Sequence, residues 1–149
     1  MIDTNLLLLL IVGSLDRSKI GRKRLENYSK RDFQNLNTEI EKFSGHVSLP
    51  NILSETSNFL GSGKQQLVTG GILALKNYVD NLDEIYQPSS GVAKSDYYSK
   101  FGLTDAAIIM IAKSHNLHVI TDDFPLYGYL SKLRVKATNL RHLSTPSDY

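Results

Sequence analysis

The sequence predicts an α/β chain: a three-layer α/β/α sandwich around a central, mainly parallel sheet of four or five strands. Three observations lead there. Short apolar, β-branched runs at residues 47–49, 85–86, 119–120 and 135–138 alternate with segments of helical length, the pattern of parallel crossover units. Residues 106–112 are apolar on every side, which belongs to a helix inside a domain rather than on its surface. Val119 and Ile120 are closed by polar residues, as in a central parallel strand covered on both faces. A chain of 149 residues is one ordinary domain, so residues 1–149 are read as a single unit, with a loose polar tail after about residue 143.

Composition narrows the classes. Apolar residues make up 41% and charged residues 21%, a globular balance, and the formal charge of +2 permits contact with nucleic acid without demanding it. Cysteine is absent, which excludes disulfides and thiolate metal sites. The apolar run at residues 6–12 is far shorter than the ~20 residues of a spanning helix. Asp3 precedes it and Gly13, Ser14, Leu15 and Asp16 follow, unlike the basic start and small-residue cleavage point of an export signal. No membrane association and a cytoplasmic location are therefore expected.

In order, Met1, Ile2 and Asp3 read as a very short first strand, and the leucine run after Thr4 and Asn5 as a helix buried all round. Asp3, Thr4 and Asn5 could equally serve as helix N-caps. Residues 14–30 form the most basic region, with Arg17, Lys19, Arg22, Lys23 and Arg24 against Asp16 and Glu26. Such a run can track phosphates or simply face water. Phe33, Leu36, Ile40 and Phe43 recur at helical spacing over residues 32–43. Pro50 suits the first turn of the next helix, whose apolar face is Ile52, Leu53, Thr56, Phe59 and Leu60. Glu55 lies at the margin of that face. With no Lys or Arg elsewhere in the helix, a partner from another segment, or a cation, is implied unless the side chain reaches water.

Gly61, Ser62, Gly63 and Lys64 lack the glycine five residues upstream and the following Ser or Thr of a phosphate loop, and so read as a turn. Residues 67–82 are predicted helical, weakened by Gly70 and Gly71. Ile85 and Tyr86 would form the third strand, and residues 92–101 an amphipathic helix stopped by Gly102. Thr104 then reads as the N-cap of the apolar helix, with Asp105 in its first turn. Phe124 and Pro125 start a helix through Leu133, and residues 135–138 form the last strand.

On this plan Asp3, Glu55, Asp105 and either Asp122 or Asp123 all fall at the carboxyl edge of the sheet, where ligands of open α/β sheets bind. A helix dipole could account for Asp105 alone. Four gathered carboxylates, however, repel one another and must protonate or bind cations. Hard divalent ions with oxygen ligands, Mg²⁺ or Mn²⁺, are the natural solution, and one or two such ions suit phosphodiester hydrolysis. No serine or cysteine nucleophile set is recognisable. His115 and His118, three apart, lack a third zinc ligand in register, and His46 and His142 stand alone.

Asp3, Thr4 and Asn5 at the start, Leu53, Ser54 and Glu55 after a short strand, Gly102 through Ala106, and Thr121 through Phe124 together resemble the motifs of PIN-domain ribonucleases, in the family's order. The compact toxin ribonucleases of toxin–antitoxin pairs look most similar. The resemblance implies a PIN-like parallel sheet between helical layers and Mg²⁺- or Mn²⁺-dependent cleavage of single-stranded RNA. It also implies that Asp3, Glu55, Asp105 and Asp123 are the metal-binding acids, with Asp122 in reserve because adjacent strand residues face opposite ways. Thr4 and Asn5 would buttress Asp3, and the Thr121 hydroxyl would orient a carboxylate. Two departures stand out: the basic segment is longer than in many such toxins, and the last motif meets a doubled acid. RNA and an antitoxin protein are the partners this implies, and the amphipathic helices leave room for a homodimer. A PIN-like module that binds RNA or protein without cutting, and an unrelated small α/β binding or phosphoacceptor protein, are the competing readings.

Overall fold

The computed structural model describes residues 1–144. Twelve elements follow one another: α1 (Thr4–Leu15), α2 (Lys30–Ile40), β1 (Val47–Ser48), α3 (Pro50–Leu60), α4 (Gly71–Val79), β2 (Asp83–Glu84), α5 (Ser89–Ala93), α6 (Tyr98–Ser114), β3 (Val119–Thr121), α7 (Phe124–Lys132), β4 (Ala137–Asn139) and α8 (Leu140–Ser144). Residues 143 and 144 belong to α8; the rest of the expected tail lies outside the described residues.

The expected sandwich around a four- or five-stranded sheet is not what forms. Of the described residues 59% are helical, short 3-10 turns included, and 8% lie in strands. Its strands make two separate parallel pairs, β1 with β2 and β3 with β4, and Ile2 adds a single parallel bridge to Ile120. The reason is local. Two of the strands run straight into a helix start: Pro50 opens α3 directly after Leu49, and Asp123 caps α7 two residues after Thr121. Two or three residues form too few ladder bonds to extend a sheet. The core is built on helices instead. Leu6, Leu7, Leu9 and Val12 of α1 are wholly buried, and α1 packs against α2, α3, α4 and β3. Residues 106–109 of α6 are equally buried, as their all-round apolarity requires.

Boundaries moved where backbone chemistry overrode periodicity. The expected third strand at Ile85 and Tyr86 is displaced to Asp83 and Glu84, which pair with Val47 and Ser48. The Ile85 N–H still donates to the Ser48 carbonyl at 3.0 Å, and Tyr86 stands in solvent. The helix expected over 67–82 begins only at Gly71, because Gly70 is left-handed (φ 81°). The helix expected over 92–101 is split into α5 and the first turn of α6, and Gly102, at φ 75°, breaks the backbone there. The last strand runs over 137–139 rather than 135–138. Among the described residues no helix is long and apolar enough to cross a membrane.

Candidate functional site

Helix starts bring the acids together. Asp3 caps α1, its Oδ1 accepting the Leu6 N–H at 2.9 Å. Its Oδ2 accepts the Thr121 hydroxyl and, at 3.3 Å, the Asp122 N–H. This carboxylate is buried. Burial, then the neighbouring Asp122 charge, push its pKa up to about 7, against the opposing pull of those three hydrogen bonds. Thr121 uses its hydroxyl in both directions, donating to Asp3 and accepting the Asp123 N–H at 3.0 Å.

Glu55 is half buried on α3, and its partners are hydroxyls from other segments: Thr4 Oγ1 donates to Oε2 at 2.9 Å and Thr104 Oγ1 donates to Oε1. Thr104 therefore gives its side chain to Glu55 and not to a helix cap. Thr4 likewise supports Glu55 rather than Asp3, while Asn5 is exposed and buttresses neither. Asp105 follows the break at Gly102. It is half buried and makes no hydrogen bond or ion pair within the described residues. Burial, with Asp123 and Glu55 nearby, pushes its pKa up to about 6.

The doubled acid is divided between two tasks. Asp122 accepts the Tyr28 hydroxyl at 2.6 Å and Arg141 Nη2 at 3.2 Å on the same oxygen. Burial and the Asp122 charge together push the Tyr28 pKa upward. Asp123 is exposed, caps α7 through a 2.7 Å bond from the Leu126 N–H, and lies on the Asp105 side of the cluster. The acids thus form two neighbourhoods, Asp3 with Asp122 and Asp105 with Asp123 and Glu55, joined through Thr4 and Thr121.

Mg²⁺ asks for only one or two carboxylates, with water completing its shell. Asp105 with Asp123 or Glu55 meets that requirement by donor chemistry, and the raised Asp105 pKa marks a place where added positive charge would be favoured. No group of three or more His, Asp or Glu side chains among the described residues is gathered tightly enough to cage an ion. The histidine pair does not converge either: His115 Nδ1 meets Ser114 and the Ile111 carbonyl, and His118 Nε2 meets Thr138.

Of the basic residues, Arg17, Arg22, Lys23 and Arg24 are exposed and Lys19 is half exposed. Arg24, held at φ 71°, lays its guanidinium 4.4 Å above the Phe59 ring. Phe59 is one turn beyond Glu55 on α3, so Arg24 is brought to the side of the helix that carries an acid of the cluster. Arg17 sits 5.5 Å over Phe33 instead, between α1 and α2. Tyr28 and Arg141 were not legible as site residues, because they reach Asp122 across 94 and 19 residues and no local periodicity encodes such contacts.

Comparison of the chain with family models, with curated proteins and with solved structures found no match.

Proposed function

We propose that the protein is a Mg²⁺- or Mn²⁺-dependent endoribonuclease acting on single-stranded RNA, similar in the order of its acidic motifs to PIN-domain ribonucleases and so a candidate toxin of a toxin–antitoxin pair. The observation that carries this reading is Asp105. Its half-buried carboxylate has no donor among the described residues, is near two further acids, and lies in the first turn after the break at Gly102. A purely structural acid would be paired, as Asp122 is with Tyr28 and Arg141.

The chain's own residues divide the work. Thr4 and Thr104 fix both oxygens of Glu55, so its orientation is set before any ligand arrives. Thr121 and the Leu6 N–H hold Asp3 at the floor of the cluster. Arg24, with Arg22 and Lys23 beside it, supplies positive charge for phosphates passing along α3. The ion, when bound, supplies a water of lowered pKa and neutralises charge on the leaving oxygen.

The test is cleavage of an unstructured RNA oligonucleotide with Mg²⁺ or Mn²⁺, with EDTA, and with Asp105→Asn. Activity should vanish in EDTA and fall at least about 100-fold in the variant; activity that survives both sinks the metal-nuclease reading. A second reading has its own observation. The Asp3 oxygens already accept three donors and, among the described residues, no three acids close on one point, which suits a PIN-like module that binds RNA or protein without cutting. Tight RNA binding with no cleavage under any divalent ion would select it.

A further inference from the structure

Away from the acids, at the opposite end of Ile2 and β3, the structure holds a cleft of about 440 Å³. That size falls within the roughly 300–1,000 Å³ of small-molecule sites. Its walls are mostly apolar, with Ile2, Ile40, Phe43, Leu117 and Ile120 among them. Two ring pairs frame it: Phe43 and His118 with centroids 4.8 Å apart, and His46 and Tyr78 at 5.9 Å. Flat, polarisable walls of this kind favour a planar ring in the space they enclose.

The polar groups set the sign of the ligand. Among the described residues no Asp or Glu lines the cleft, and Lys136, which does, forms no ion pair with any of them. Glu39, the carboxylate felt by His118, is engaged elsewhere, accepting Lys42 Nζ and, at 2.9 Å, the Thr138 hydroxyl. That hydroxyl has one proton and gives it to Glu39, so at the 2.8 Å contact His118 Nε2 is the donor. His118 is thereby held in one tautomer and one orientation. Burial keeps His46 and His118 below the ordinary histidine range and pulls the Met1 amino group, which donates to the His118 carbonyl at 2.8 Å, down to about 6, leaving Lys136 as the main cation of the lining at neutral pH. Neutral ring walls and an unpaired ammonium match an anion with an apolar body, and they disfavour a cation or a sugar.

We propose that this cleft binds a small arylalkyl carboxylic acid, its ring between the Phe43–His118 and His46–Tyr78 pairs and its carboxylate on Lys136. The site is separate from the acidic cluster, although Ile2 and Ile120 immediately precede Asp3 and Thr121 in the chain. The proposal does not depend on the nuclease reading.

The probe is 4-phenylbutyrate, with its uncharged amide 4-phenylbutyramide as the comparison, titrated into the full chain by calorimetry and amide correlation NMR. The acid should bind saturably at 1:1 with a Kd below about 1 mM. Shifts should be confined to the lining of the cleft, with Phe43, His46, Tyr78, His118 and Lys136 among the residues that move. The amide should bind at least about five-fold more weakly, and Lys136→Met should lower the acid to the amide's affinity while leaving the amide unchanged. Equal affinity of acid and amide, shifts elsewhere on the chain, insensitivity to Lys136→Met, or no saturation would each overturn the proposal. Unchanged amide binding also shows that the Lys136→Met protein is folded at the cleft.

Discussion

Asp105 is where residue-scale energetics and the proposed function conflict. Its folded pKa is about 6 against an ordinary value near 3.8, so the folded chain holds this proton more tightly than the unfolded one. Stability is then unaffected below about pH 4, declines as pH rises through 6, and carries the full cost above that. Discounted for the carboxylate's partial exposure, the cost is about 1–2 kcal/mol. Asp105→Asn should therefore raise the denaturation midpoint at pH 8 and leave it unchanged at pH 4. Millimolar Mg²⁺ should stabilise the parent chain at pH 8 and not the variant; equal midpoint shifts at both pH values would remove the electrostatic explanation. Asp3 follows the same sign with a higher midpoint, near 7. Asp32 and Glu39 run the other way. Burial would raise both, but donors win: Ser144, Ser29 and Arg141 hold Asp32 low, and Lys42 and Thr138 hold Glu39 low, so their contribution is lost as pH falls. At this scale Asp3, Asp105 and Asp123 were legible in the sequence, because each is a polar residue immediately before or inside an apolar helix start. Tyr28 and Arg141 were not, since their importance exists only once distant segments meet.

Elements were legible when one helix could be read from its own residues, and poorly legible when pairing decided. The leucine run gave α1 and residues 106–112 gave α6 because apolarity on every side leaves no alternative to burial. Pro50 located the start of α3. The strands misled: Ile85 and Tyr86 have better β-propensity than Asp83 and Glu84, yet register with Val47 and Ser48 selected the acids. A count of apolar runs therefore overstated the sheet. Helix packing carries a more exacting signal at Gly13, near the end of α1. A Cβ there would meet Phe33 Cδ2 at 2.4 Å and Cε2 at 2.6 Å, so α2 approaches α1 through the absence of a side chain. Gly13→Ala should cost about 1–3 kcal/mol by displacing Phe33, despite the better helix propensity of alanine. Urea denaturation of Gly13→Ala checks this, and Gly13→Ala with Phe33→Leu should recover part of the loss. A neutral or stabilising Gly13→Ala would show that the two helices can separate freely.

At the scale of the whole molecule, Arg141 holds together segments far apart in the chain. From α8 it donates to Asp122 at 3.2 Å and to the Asn27 carbonyl at 2.8 Å, stacks 4.7 Å over the Tyr28 ring, and stands 4.0 Å from Asp32. Its removal would leave Asp122 beside Asp3 without its guanidinium. Arg141→Ala should lower stability by about 1–3 kcal/mol, and Arg141→Lys should restore less than half, since an ammonium cannot reach three planar directions at once. Chemical denaturation of both variants measures this; full rescue by lysine would reduce the residue to a simple charge.

Asp3 and Asp123 serve both as members of the acidic cluster and as the first hydrogen-bond acceptors of α1 and α7. Asparagine performs the second role about as well as aspartate and cannot perform the first. Asp3→Asn or Asp123→Asn should therefore keep the start of α1 or α7 while removing a negative charge from the cluster.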